Sequence, residues 1–435
     1  MARFRKYARK IRKLEDFGTL NGLSAEVFSV LQPCAISEPL FPHLKALQLT
    51  RVTGKSIPFI HFFLSQRTTT TYISFFPSDS PTVMVAQMVA AFPALCPNLQ
   101  KITFNNIPRD PTITAAVSEM LIASNRNALR SVCVDSPLTE EGYEAVFKLP
   151  NLRELSVIIE GETSLPSMVL PNLAKLIIEY GGDWLPMFHG AAFGKLESVV
   201  FDHRSGQIGD FLEAFKRVAL VASVQNTLTR FNFYTSHSWN SNYSSLLPFT
   251  HLKEILIYFS CDDGCSSRVD DEIITNLART MPNLESLELG SPPCQEIPIG
   301  VTVKGLVALA DHCPDLSELC IHFQVDSLCE PPAVVRTSPD VGSIAPRRVC
   351  LLPSPAAGRI LLPRRSVPMV ALTLARIFPY LESIDSGIDE KWGEVADAIK
   401  LSREIVDCSS KEHPLSTLRS DFDDISPGAT LKDGG

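Results

Sequence analysis

The chain has 435 residues, 45% of them hydrophobic and 20% charged, and a formal net charge of −8. One compact core stops growing at roughly 250–300 residues, so this length calls for several domains or an architecture that extends in one dimension. The apolar content excludes a chain too polar to fold, and the acidic balance argues against nucleic acid as a partner, because such binding rests on neutralising phosphates.

From the N-terminus, the first thirteen residues carry seven Lys or Arg and lack the apolar run of a secretory signal. The segment Leu23 to Leu31, with Glu26, Val27 and Val30, reads as a helix. From there one pattern recurs, Leu-x-x-Φ-x-Φ with Φ apolar. Full copies stand at Leu44/Leu47/Leu49, Leu99/Ile102/Phe104, Leu129/Val132/Val134, Leu152/Leu155/Val157 and Leu173/Leu176/Ile178. Five more follow at Leu196/Val199/Phe201, Leu228/Phe231/Phe233, Leu252/Ile255/Ile257, Leu284/Leu287/Leu289 and Leu316/Leu319/Ile321. A degenerate copy is read at Thr70/Ile73/Phe75, and partial copies at Ile11/Leu14 and Leu381/Ile384. First positions lie 21 to 33 residues apart, except for one gap of 65 between Leu316 and Leu381.

The spacing has a physical cause. Two apolar residues at period 2 point to the same side of a short strand, and the leucine three residues earlier fills the turn into it. Such a strand cannot bury that face alone, whereas a row of parallel strands buries it continuously. Between strands, helical periodicity marks Thr82 to Leu95, Thr112 to Ala123, Thr139 to Lys148, Ile208 to Val221, Asp270 to Arg279 and Thr302 to Asp311. The shorter repeats, starting at Leu152, Leu173 and Leu196, are expected to carry only loops or 3₁₀ turns. A proline often precedes the repeat leucine, as in Cys96-Pro-Asn-Leu, Leu149-Pro-Asn-Leu, Leu170-Pro-Asn-Leu and Met281-Pro-Asn-Leu. Proline ends the helix and the asparagine supplies the turn. The predicted fold is α/β: a leucine-rich-repeat solenoid, or horseshoe, with a parallel concave sheet and with helices and loops on the convex side. The repeats occupy residues 1–330.

The Pro-Asn-Leu-x-x-Leu phrasing, the repeat length and the Cys-Pro before the leucine resemble the leucine-rich repeats of F-box proteins. More narrowly, the chain is similar to the F-box-like families of mushroom-forming fungi. That resemblance implies the substrate-recognition part of a cullin-RING ubiquitin ligase, in which the repeats capture a protein substrate and an N-terminal F-box docks on the ligase adaptor. The stretch from Leu23 to Leu31 superficially matches the F-box opening Leu-Pro-x-Glu-Ile, but it falls inside the Ile11–Leu44 interval, a normal repeat length. The sequence therefore reads as starting after the F-box, through truncation or loss. The adaptor is an expected partner only if an F-box is restored, and a repeat protein with no ligase role is the alternative.

The 65-residue gap predicts one strand near residues 349–354. Residues 331–368, however, hold eight prolines, six arginines and one acid, Asp340. They read as a disordered insertion, because such a composition buries too little apolar surface. Residues 369–407 read as the last repeat and a capping helix in which Trp392 packs on that repeat, and 408–435 as a disordered tail.

Within each strand, the residues between the apolar ones should face the concave side. There the acids Asp135, Glu154, Glu179, Asp202, Glu254, Glu288 and Glu318 outnumber Lys101, Lys175 and Arg230, which favours a partner with a basic patch. The expected partner-binding residues are Asp202, Arg230, Tyr234, Glu254, Tyr258, Glu288 and Glu318, with Tyr and Arg as hot-spot types. Asp202-His203 invites a catalytic reading, but no Gly-x-Ser-x-Gly elbow, His-Glu-x-x-His or Gly-rich phosphate loop accompanies it. No enzyme, cofactor or metal site is predicted. None of the eleven cysteines forms a Cys-x-x-Cys pair, so they read as free thiols, mostly buried, in a reducing compartment. The apolar stretch Val83 to Cys96 is too short to span a bilayer. A soluble protein of cytoplasm or nucleus is expected.

Overall fold

The computed structural model describes residues 2–16, 27, 30–32, 39–160, 167–181, 191–203, 215–216, 224–235, 243–259, 269–290, 301–324, 326–329, 348–353, 367–378, 381, 383–385 and 393–401. The strands run in chain order as β1 Lys13–Asp16, β2 Ala46–Val52, β3 Thr70–Phe75, β4 Lys101–Asn105, β5 Ser131–Pro137 and β6 Glu154–Ile159. They continue as β7 Val169–Leu170, β8 Lys175–Tyr180, β9 Ala192–Phe193, β10 Ser198–His203, β11 Arg230–Thr235 and β12 Glu254–Phe259. The last four are β13 Ser286–Gly290, β14 Glu318–Phe323, β15 Arg348–Pro353 and β16 Ser383–Asp385. Among the described residues, fourteen of these form one open sheet in strict chain order, with β7 and β9 pairing separately. Every pairing in it is parallel.

The repeat pattern becomes the register. Val132 stands opposite Leu155, Leu155 opposite Leu176, Leu176 opposite Val199, Val199 opposite Phe231, and Phe231 opposite Ile255. Each of these side chains is fully enclosed, and such burial stabilises by roughly 1.5–3 kcal/mol per side chain. Strand alternation sends their neighbours to the opposite, open face. The described residues are thus α/β with one long parallel sheet, one face apolar and covered, the other accessible.

Helices cover the apolar face: α1 Ala2–Ala8, α2 Thr82–Leu95, α3 Pro111–Ala123, α4 Glu140–Phe147, α5 Asp271–Thr280, α6 Val303–His312, α7 Asp326–Cys329 and α8 Val367–Ile377. Successive ones pack side by side, α2 on α3, α3 on α4 and α5 on α6, while Phe92 of α2 meets Phe104 of β4 edge-on at 5.4 Å. Polar side chains bind one repeat to the next. Three asparagines of Pro-Asn-Leu donate from Nδ2 to a carbonyl of the preceding repeat: Asn98 to Gln66 at 3.1 Å, Asn151 to Asn127 at 3.0 Å and Asn172 to Pro150 at 2.9 Å. The asparagine therefore does more than aim a turn. It also satisfies a carbonyl at the stacking interface.

Two helix starts share a second device. Thr139 caps α4 by accepting from the Gly142 N–H, and its own N–H donates to Ser118 Oγ of α3 at 2.8 Å. Thr302 caps α6, and Asp271 of α5 accepts from Thr302 N–H at 2.7 Å, Thr302 Oγ1 at 2.6 Å and Gly305 N–H at 3.0 Å. The glycine three residues after each threonine makes room for that neighbour. A Cβ on Gly142 would lie 2.6 Å from Ser118 Oγ, and one on Gly305 2.8 Å from Asp271 Oδ1.

Three expectations change. The degenerate repeat is offset by two residues: Leu47 pairs with Thr71 and Leu49 with Ile73, so Thr68/Thr71/Ile73, all fully buried, replaces Thr70/Ile73/Phe75. Threonine fills an apolar position there, and Thr68 Oγ1 donates to the Leu44 carbonyl at 3.3 Å. Second, the repeats starting at Leu152 and Leu173 carry, behind the sheet, the short β7–β9 ladder, which joins Val169 to Ala192 and Leu170 to Phe193. Third, the segment 331–368 is not disordered throughout. Residues 348–353 form β15, paired along six positions with β14 and three with β16. The one proline of that strand, Pro353, stands at its end, where a missing N–H costs the ladder least. Residues 331–347 and 354–366, Trp392 and the tail 408–435 lie outside the described residues. Helix α8 already starts at Val367, and residues 393–401 form a further helix that buries Val395 and Ile399. Of Leu23 to Leu31, residues 27, 30 and 31 are described, and they are helical.

Candidate interaction surface

All seven expected binding residues stand on the open face, in three rows set by the register. The first row includes Lys101, Ser131, Glu154 and Lys175 and, further along, Arg230, Glu254 and Glu318. The middle row runs through Ile177, Val200, Asn232, Leu256 and Glu288. The third places Glu179 beside Asp202, Asp202 beside Tyr234, and Tyr234 beside Tyr258. From β10 to β14 this part of the face is ~19 Å wide, at about 4.8 Å per strand.

The electrostatics of the two halves differ. Towards the N-terminal side the acids are spoken for within the chain. Lys101 Nζ reaches across β5 to Glu154 at 3.1 Å, and Ser131 Oγ donates to the same carboxylate at 2.8 Å. Burial would raise the pKa of Glu154, but those two donors outweigh it and hold the carboxyl below its ordinary value. Arg109, in the loop after β4, spans 70 residues of sequence to reach Glu179 at 2.7 Å and also binds Glu160 at 3.1 Å. The Asn106 N–H donates to Asp135 at 3.0 Å, from a backbone with φ 52°. Arg109 was not foreseen as a site residue, because it lies outside the repeat pattern and only the stacking of β4 to β8 brings it to these acids.

On the C-terminal side, Arg230 pairs with Glu254 at 2.9 Å, so two of the seven residues neutralise each other. Glu288 differs. It is half-buried, and no described residue donates a hydrogen bond to it or pairs with it; burial and the neighbouring Glu318 carboxylate push its pKa up. Tyr234 is also raised, first by burial and then by Glu288 and Asp202, whose carboxylates both act on its hydroxyl. Tyr258 is 40% exposed. A pair of tyrosines, one of them well exposed, therefore lies among Asp202, Glu288 and Glu318. The geometry favours a cationic side chain, which would gain from both the carboxylates and the aromatic faces.

Asp202 and His203 do not act as a dyad. They are consecutive in β10, so Asp202 stands on the open face and His203 is fully buried on the other. Among the described cysteines, Cys96 and Cys313 fit the expectation of buried thiols, each pushed up to about 12 by burial. Cys133 and Cys320 do not, since both are half-buried on the open face. No helix among the described residues is long and apolar enough to cross a membrane. No protein-family model matches the chain, and no curated protein matches it.

Proposed function

We propose that the chain is a leucine-rich-repeat solenoid of the horseshoe type, whose concave sheet grips a protein partner bearing a basic patch. The observation that carries this reading is at β11–β13: no described residue pairs with Glu288, while Tyr234 and Tyr258 stand beside it. A half-buried carboxylate next to another is unfavourable in the free protein, and an incoming Lys or Arg relieves that cost on binding. In this reading Tyr234, Tyr258 and Glu288 are the hot spots, Asp202 and Glu318 supply longer-range attraction, and Arg230 with Glu254 forms a neutral rim. The resemblance to F-box repeats makes the partner a ubiquitin-ligase substrate.

A second reading keeps the grip and drops the ligase. It is favoured by β1 and β2, which pair in register at Lys13–Asp16 and Ala46–Leu49, so the F-box-like stretch Leu23 to Leu31 falls between two paired strands of the sheet. The experiment has two arms. Co-purification of the chain, extended to any upstream exon, with the ligase adaptor separates the readings. Proteins captured by the wild type and lost by Glu288→Lys, but retained by Glu154→Lys on the self-neutralised side, support the acidic grip. Capture unchanged by Glu288→Lys and by Tyr258→Ala defeats it.

A further inference from the structure

Two cysteines far apart in sequence meet in the ladder. Cys320 lies between Leu319 and Ile321, both buried, so it takes an open-face position, where it is half-buried and outside any disulfide. Cys350 holds the register position directly opposite it, inside a six-pair parallel ladder running from Glu318/Arg348 to Phe323/Pro353. Adjacent strands lie about 4.8 Å apart, within the roughly 4.4–6.8 Å window of Cα separations that a disulfide spans. Cys133, the other described open-face thiol, stands between Thr103 and Ser156 and has no cysteine opposite it. Cys96 and Cys313 are buried.

We propose that Cys320 and Cys350 are a modification site: under hydrogen peroxide they form a disulfide that ties β15 to β14, and a dithiol reverses it. One thiolate attacks the peroxide oxygen and breaks the O–O bond, giving a sulfenic acid and, after proton transfer, one water. The second thiol then displaces hydroxide from that sulfur, forming the S–S bond, and its proton leaves with the hydroxide as a second water. Two thiols are oxidised by two electrons and one peroxide is reduced by two. Directly paired residues in a parallel ladder stand at about the strand spacing, wider than the Cβ separation of about 3.8 Å that a disulfide prefers. The bond is therefore strained, and strained disulfides are the reducible ones.

The consequence is local and structural. β15 is joined to β16 through only three register pairs, so the cross-link secures the last strands of the sheet to the repeats before them. It also forms beside Glu288, which is the register partner of Cys320 on its other side.

The test uses the full chain in its native state and does not depend on the proposed partner. The protein is treated with dilute hydrogen peroxide, blocked with N-ethylmaleimide, digested without reductant and sequenced by tandem mass spectrometry. The expected result is a peptide pair linked through Cys320 and Cys350, a fall of two in alkylatable thiols per chain, and recovery of both with dithiothreitol. Cys320→Ser and Cys350→Ser should each abolish the link, whereas Cys329→Ser, on the same tryptic peptide as Cys320, should leave it. Both thiols remaining alkylatable, or each reaching sulfinic acid separately, overturns the proposal. So does a link that appears only after urea is added.

Discussion

Thr71 is fully enclosed beneath the sheet, yet its Oγ1 has no hydrogen-bond partner among the described residues. A buried, unsatisfied hydroxyl costs about 1–3 kcal/mol, so Thr71→Val should stabilise the protein by about 1 kcal/mol. The urea midpoint should rise with the denaturant slope unchanged. The same residue accounts for the two-residue offset of the degenerate repeat: with threonine at two core positions, Ile73 and Phe75 are the apolar pair that fits the spacing. Glu288 gives a pH-dependent prediction. Its folded-state pKa is raised by burial and by Glu318, so the ionised form opposes folding above that pKa. The penalty disappears as pH falls below the ordinary value of 4.5. Glu288→Gln should therefore raise the urea midpoint at neutral pH and leave it unchanged well below 4.5, where both side chains are neutral. A gain that persists in acid would show that packing, not charge, is responsible.

For single elements, the sharing of caps between neighbours decides the sign of an otherwise favourable change. Alanine in place of a helical glycine ordinarily gains about 1 kcal/mol. Gly305→Ala should instead destabilise, because its Cβ would sit 2.8 Å from the Asp271 oxygen and 3.1 Å from Val301. Asp271→Ala should cost about 2 kcal/mol, the upper end for losing a helix-capping acceptor, since it removes three hydrogen bonds at the start of α6. Thermal melts of the two variants and of their double mutant check this. If both act through the same cap, the double mutant should fall short of the sum. The helices themselves were legible: α2 was expected over Thr82–Leu95 and found there, and α3 to α6 lie within a residue or two. Their mutual capping was not, because Ser118 and Asp271 meet their threonines only across the stack.

Across the whole molecule, each strand touches only the strands before and after it, so disturbance should stay local. Leu176→Ala should cost about 2–5 kcal/mol. Amide hydrogen exchange should speed up at β6, β8 and β10 and stay unchanged at β2 and β14. Uniform loss of protection along the sheet would mean that it unfolds as one cooperative unit. The open face also needs the whole row to be understood. Seven acids against three bases look like one acidic surface, but Lys101, Arg109 and Arg230 cancel much of it on particular strands, whereas no described residue pairs with Glu288.

By itself the sequence determined the parallel strands, their order and which side chains are buried, because period-2 apolar spacing and a fixed turn act locally and repeat. It also placed all seven candidate residues on the open face, since strand alternation leaves them no other side. Only the tertiary structure decided the register of the threonine-bearing repeat, the pairing of Cys320 with Cys350 and the salt bridge from Arg109 to Glu179. Each of these joins residues more than twenty positions apart. Their meeting depends on how the loops between strands run and how neighbouring strands stack, which no local pattern records.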